Sequence, residues 1–293
     1  MQKSIIWFLE NSSQKLWQKQ NSREGYGETL TKTQSKLEQI AIMKIHSVFL
    51  LFLLNLSCGN SQLGGENTDP PSHQLFDTLL KRHVDEHGLV DYKGFLTDSA
   101  ELEKYLQMLS QNPPDRKTWS REEQLAYWIN AYNAFTIKLV IDHYPVESIR
   151  DIGPSLEIPL LNTVWHLEFF EIGGQPASLD EIEHKILRKE FEEPRIHFAI
   201  NCASVSCPKL LDRAFRAENL EEQLEMVTSS FINNPSRNEL GRERAEISSI
   251  FSWFKKDFER DGSLIDFLNR YSDVPLQPTT KITFKEYDWS LNE

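Results

Sequence analysis

Cys202 and Cys207 close the stretch Arg195-Ile-His-Phe-Ala-Ile-Asn-Cys-Ala-Ser-Val-Ser-Cys-Pro208, which also carries His197 and Asn201. A second stretch, Ser178 to Glu190, supplies Glu183 and His184, and the run Tyr127-Trp-Ile-Asn-Ala-Tyr-Asn133 supplies Asn130 and Asn133. These are the side chains of thiol chemistry. A cysteine nucleophile needs a nearby base, usually histidine, and a third group that holds the base in one tautomer. In this reading Cys202 or Cys207 attacks and His184 or His197 is the base. Glu183, Asn130 or Asn201 orients it, and loop amides between Cys202 and Ser204 bind an oxyanion.

Other uses of the same residues stay open. Cys202 and Cys207 are close enough for a local disulfide, which would add about 2 kcal/mol. Reversible dithiol chemistry is a variant, although C-x4-C is not the usual C-x-x-C redox spacing. Two cysteines and two histidines make a tetrahedral zinc set in principle, but the histidine spacing fits no finger or HExxH pattern, so the expectation is no metal and no cofactor. Plain packing of His197 and the cysteines in a core is the last alternative.

The elements that must position these groups follow from patterning. Ile196, Phe198 and Ile200 alternate with His197, Ala199 and Asn201, which predicts a strand ending at the Cys202 loop. Pro208 then predicts a helix with Cys207 at its N-cap, where a thiolate is favoured. Ser120-Arg-Glu-Glu123 is a capping box opening a helix to about Ile141, apolar in almost every direction and therefore central and buried. Its Asn130 and Asn133 either tie the helix to adjacent loops or point an amide into a site. Ser178-Leu-Asp-Glu181 is a second capping box, opening a helix to about Glu190. There Asp180 and Glu181 stand four and three residues before His184, close enough to orient its ring or simply to be solvated.

Further helices are predicted over 73–83, 98–111, 218–233, 248–258 and 263–271. An extended piece is expected over 88–94, a strand over 163–172 with a turn at Gly173-Gly174, and a last strand over 281–284. Many helices with few strands indicate an α+β class: one helix-rich domain with a small antiparallel or mixed sheet and a buried central helix at about 121–141.

The chain has 293 residues, 39% hydrophobic and 26% charged, enough for a sizeable core. Its formal net charge of −12, with no Lys/Arg-rich stripe, argues against a nucleic-acid partner. Lys44, the apolar run Val48–Leu54 and the end Ser57-Cys58 have the layout of a secretory signal. The run is too short to span a bilayer, which takes roughly 20 residues. The end resembles a bacterial lipoprotein signal, with Asn55 where such signals usually carry Leu. That resemblance implies lipidation at Cys58, a membrane partner through that lipid, and a place at the cell envelope facing the periplasm or the surface. The expected organisation is an extension over 1–42 preceding a start at Met43, a signal over 43–58, a flexible tether over 59–72 and one globular domain over 73–293.

Four segments of that domain, Tyr127–Ala134, Ser178–Arg188, Pro194–Pro208 and Tyr287-Asp-Trp-Ser-Leu-Asn292, resemble the domain-of-unknown-function 547 family, from about residue 75 to the C-terminus. The resemblance marks Asn130, Asn133, Glu183, His184, His197, Asn201, Cys202 and Cys207 as motif positions and implies no established reaction. Two function classes follow. One is an envelope-anchored thiol-dependent hydrolase or acyl transferase acting on peptides or amides there. The other is a non-enzymatic envelope module, binding a peptide or protein ligand and stapled by a Cys202–Cys207 disulfide.

Overall fold

A computed structural model of the protein describes residues 69–153 and 163–293. The expectations for 1–42, for the signal ending at Cys58 and for most of the 59–72 tether lie outside the described residues. Among the described residues no helix is long and apolar enough to cross a membrane.

The organising element is the long helix. Ser120 Oγ accepts from Glu123 N–H and the Glu123 carboxylate accepts from Ser120 N–H, so the capping box read from the sequence is formed. The helix, Arg121–His143, is buried nearly all round between Leu125 and Ile141, as its lack of an amphipathic face demands. Before it come α1 (Gln74–His83), α2 (Tyr92–Thr97) and α3 (Ser99–Gln111), which makes the long helix α4. Phe76 stacks on Tyr105 between α1 and α3, and Tyr127 OH donates to Leu109 O to fasten α4 to α3. The extended piece expected over 88–94 is present as far as Val90, which bridges Val84, and α2 takes over from Tyr92. Asp91 accepts from Gly94 N–H and caps a turn that apolar periodicity alone does not reveal.

Beyond α4, β1 (Phe170–Ile172) and β2 (Gln175–Ala177) form an antiparallel hairpin. Gly173 and Gly174, at φ 61° and 72°, supply the two left-handed positions of its tight turn. The strand expected over 163–172 is shorter than its pattern: Val164–His166 is a 3-10 turn and only Phe170–Ile172 pairs. Later come α5 (Leu220–Ile232), β3 (Arg244–Ile247), α6 (Ile250–Trp253), α7 (Lys255–Phe258), α8 (Leu264–Asn269) and β4 (Lys281–Phe284). Strands β3 and β4 pair in parallel, and the single helix expected over 248–258 is broken at Phe254. The architecture is α+β: a helix-rich domain around a buried central helix, with one antiparallel and one parallel strand pair among the described residues.

Two corrections fall on the stretch that carries the chemistry. Residues 195–201 are not a strand. Pro194–Phe198 is a 3-10 helix, started by Pro194 and by Glu193, whose carboxylate accepts from Arg195 N–H. Ile196, His197 and Phe198 are all buried, so the alternation does not separate a core face from a solvent face. Nor does a helix begin at Pro208. Cys207 N–H instead donates to Ser204 O and closes a tight turn.

Candidate functional site

The Cys202 loop is held from both sides. Asn201 N–H donates to the Asn133 side chain, whose own amide donates to Ala199 O. The Asn201 side chain spans the loop, donating to Pro208 O and accepting from Ala203 N–H, and this bond helps hold Ala203 at φ 60°. A non-glycine residue there is a strained choice that its surroundings must enforce. The C-terminal segment does so. Val205 and Ser206 donate backbone N–H groups to Ser290 O and Asp288 O, and Asn292 N–H donates to Ala203 O. The Tyr287–Asn292 motif is thus the clamp on the cysteine loop.

Asn130 serves a similar fastening role elsewhere. Its amide donates to Phe215 O and accepts from Phe215 N–H, and it does not line the cavity that holds Cys202. Both helix asparagines tie α4 to neighbouring loops.

That cavity has a volume of about 520 Å³ and brings together Cys202, Cys207, Glu183, His184 and His197. Aromatic rings form much of its wall. Trp253 stacks on Trp289 with centroids 5.7 Å apart, Tyr287 lies 4.5 Å from Trp289, and Trp165 tilts against it at 5.5 Å. Trp253 is 48% exposed, which opens this wall to solvent.

Cys202 and Cys207 are free thiols with sulfurs 2.7 Å apart. Cys202 Sγ also lies 3.3 Å from both Ser204 Oγ and Tyr287 OH. The hydrogen bond to Cys207, followed by those to Ser204 and Tyr287, pulls the Cys202 thiol down to about 7 against the opposing effect of burial. Burial drives Cys207 the other way, well above the usual thiol range. The pair is therefore asymmetric, with Cys202 the sulfur that ionises.

The acid and imidazole groups come from a helix of unusual pitch. After the Ser178 cap, Glu181–Leu187 winds as a π-helix. Such wide turns recur at functional sites, and here neighbouring residues Glu183 and His184 both reach the cavity. His184 Nε2 stays 3.6 Å from Asp180, beyond hydrogen-bond length, while Arg188 donates to His184 Nδ1 at 3.2 Å. Of the two readings left open for Asp180 and Glu181, the orienting hydrogen bond is not formed. Burial pushes His184 below the usual imidazole range.

His197 is fixed instead by Asp257, on α7. Its Nε2–H donates to Asp257 Oδ2 at 2.8 Å, its ring stacks on Phe254 at 3.9 Å, and Arg188 holds Asp257 through two bonds. Burial lowers His197 to about 4, so the ring is neutral at pH 7. Desolvation opposes ionisation of Asp257, but the bonds from His197 and Arg188 win and hold it well below the carboxylate range. His197 Nδ1 is buried and without a partner, 3.8 Å from Glu183 Oε1. Burial, with the charge of Cys202 next, raises Glu183 to about 8. Tyr132 OH, 3.5 Å from Glu183 Oε2, completes this buried group.

Neither histidine is hydrogen-bonded to Cys202, and Asn130 and Asn201 are committed to backbone groups rather than to an imidazole. Asp257, Arg188, Tyr132 and Tyr287 escaped the sequence reading as site residues. Tyr132, Arg188 and Tyr287 each stood inside one of the four resembling segments, whereas Asp257 lay outside all of them. Among the described residues no three His, Cys, Asp or Glu side chains converge as a metal-binding set.

Residues 116–232 match the family model described as "Protein of unknown function, DUF547". The match covers α4, the π-helix and the Cys202 loop, and ends before Asp257 and the Tyr287–Asn292 clamp. No curated protein and no solved structure matches the chain.

Proposed function

We propose that the protein is a thiol-dependent hydrolase or acyl transferase with Cys202 as nucleophile. In this reading it is anchored in the bacterial envelope by a lipid on Cys58 and acts on peptides or amides there. The observation that carries it is the placement of Cys202 Sγ. The sulfur lines an aromatic-walled cavity on a rigidly clamped loop, with Cys207, Ser204 and Tyr287 within 3.3 Å to stabilise a thiolate. Acyl transfer suits this arrangement because attack by sulfur on a carbonyl needs an ionised thiol, a walled site and nearby proton carriers, all of which line the same cavity.

The test is covalent capture. Reduced full-length protein incubated with an activated acyl ester is expected to gain one acyl group on the Cys202 peptide, read by mass spectrometry. Cys202→Ala is expected to keep the fold by circular dichroism and lose the adduct. Acylation that survives Cys202→Ala removes Cys202 from the chemistry.

A second reading draws on the same sulfur–sulfur approach. In an oxidising envelope the Cys202–Cys207 pair closes as a staple, and the cavity becomes a binding site for a peptide or protein ligand. Envelope-purified protein with a quantitative bridge and no acyl adduct, even after reduction, favours that reading.

A further inference from the structure

His197 holds an unusual buried nitrogen. Asp257 is ionised and accepts only, so the imidazole proton sits on Nε2, and Nδ1 presents a lone pair. That lone pair is buried without a donor, which costs free energy unless a proton arrives nearby. The nearest acid oxygen is Glu183 Oε1, at 3.8 Å, on the π-helix. A carboxylate facing a lone pair is repelled by it, whereas a carboxylic acid moving by less than about 1 Å makes a hydrogen bond to it.

The other groups facing Glu183 are Tyr132 from α4, Cys202 from its loop, and Asp180, His184 and Arg188 from its own helix. Cys202 and Asp180 favour the neutral acid, and Arg188 and the Tyr132 hydroxyl favour the anion. Arg188 is already engaged with Asp257, and desolvation decides in favour of the acid.

The geometry points to Glu183 as the proton donor that serves Cys202, with His197 and Asp257 as positioning residues that keep its carboxyl protonated. This rests on the reading of Cys202 as nucleophile. In the resting state the sulfur is a thiolate and Glu183 a carboxylic acid. Attack forms a C–S bond on the acyl carbon. Glu183 gives its proton to the leaving nitrogen as the C–N bond breaks and an amine departs. The Glu183 carboxylate then takes a proton from water as its oxygen attacks the thioester. A C–O bond forms, the C–S bond breaks, and the thiolate and carboxylic acid are restored. With an amine or alcohol in place of water the same cycle is acyl transfer.

The role differs from that of a thiol–imidazole pair, since the exchanged proton lives on a carboxyl and the histidine never titrates. It also explains why neither imidazole is bonded to Cys202 although two line the cavity.

The test is infrared difference titration of the reduced, full-length protein from pH 5 to 10. The wild type is expected to show a protonated-carboxyl band at pH 7, lost with a midpoint near 8 and absent from Glu183→Gln. Cys202→Ser is expected to lower that midpoint by removing the neighbouring anion. Asp257→Asn is expected to lower it as well, because an amide partner releases the tautomer and lets Nδ1–H donate to Glu183. A packing role for His197 would leave the midpoint unmoved in Asp257→Asn. Absence of the band at pH 7, or a midpoint indifferent to both variants, overturns the assignment. Those outcomes leave the nucleophile reading standing if Cys202 is acylated. An unreactive Cys202 with the band in place would instead sink the nucleophile reading.

Discussion

Two buried polar groups beside the same loop are built on opposite terms. In the amide ties of α4, Asn133 joins Ala199 O and Asn201 N–H, and Asn130 joins both backbone groups of Phe215. Donors and acceptors there meet in matched pairs. In the Glu183–His197–Cys202 group they do not. A nitrogen lacks its donor, a carboxyl is held up to about 8, and a thiol is pulled down to about 7. Matched pairs fix a loop in place, and unmatched ones are poised to exchange protons. Asn133 therefore holds the cysteine loop still and Asn130 the Phe215 loop, while the acid, imidazole and thiol carry whatever chemistry occurs.

The largest expected effect comes from the unmatched side. Glu183 is raised from the usual 4.5 to about 8, so the native state binds more protons than the unfolded chain between those values. Its contribution to stability is fully present below pH 4.5 and is lost as pH rises through 8. Glu183→Gln keeps the neutral shape and removes the loss. Its stability relative to wild type is expected to climb by the order of 4 kcal/mol between pH 4.5 and 8, measured by urea denaturation across that range. A difference that stays flat with pH would place Glu183 among the ordinary ionised carboxylates and erase the contrast.

Next is the matched side. Asn133→Ala strands Ala199 O and Asn201 N–H, and two buried groups without partners cost about 3 kcal/mol together. For a domain of this size that corresponds to a drop of about 6–12 °C in Tm, checked by differential scanning calorimetry. Asn130→Ala is expected to act similarly while leaving Cys202 labelling untouched, which separates the two ties.

Cys207→Ala addresses the thiol pair. Removing the largest influence on the Cys202 thiol returns it towards the ordinary thiol value of 9, so the iodoacetamide rate at pH 7 is expected to fall by tens-fold. An unchanged rate would show that Ser204 and Tyr287 suffice. The smallest effect belongs to the cavity wall. Trp253, half-exposed and stacked on Trp289, is expected to cost under about 1 kcal/mol as Trp253→Ala in thermal melts, while weakening ligand capture.

Local patterning revealed what local forces make. The Ser120 capping box, the all-round apolar α4, the Gly173-Gly174 hairpin and the helix over 74–83 each rest on residues within a few positions of one another. The 195–208 stretch misled because strict alternation is a sound strand signal only where one face meets solvent. Ile196, His197 and Phe198 are packed on every side in a 3-10 turn, so period two carries no information. The motif cysteines, Glu183 and His197 were visible as chemically capable types, and the cavity brings them together. Their partners were not. Asp257 lies 60 residues from His197, and Tyr287 lies 85 from Cys202, distances over which no spacing rule operates. The π-helical pitch at Glu181–Leu187 was equally hidden, since its sequence reads as an ordinary capped helix.

The most direct measurement of the central claim is the alkylation rate of Cys202 in full-length protein, followed by peptide mass spectrometry from pH 5 to 10, with and without prior reduction. A free Cys202 is expected to react with a midpoint near 7 while Cys207 stays unlabelled. A Cys202 that reacts only near pH 9, or a Cys202–Cys207 bridge that mild reductant leaves intact, would contradict it.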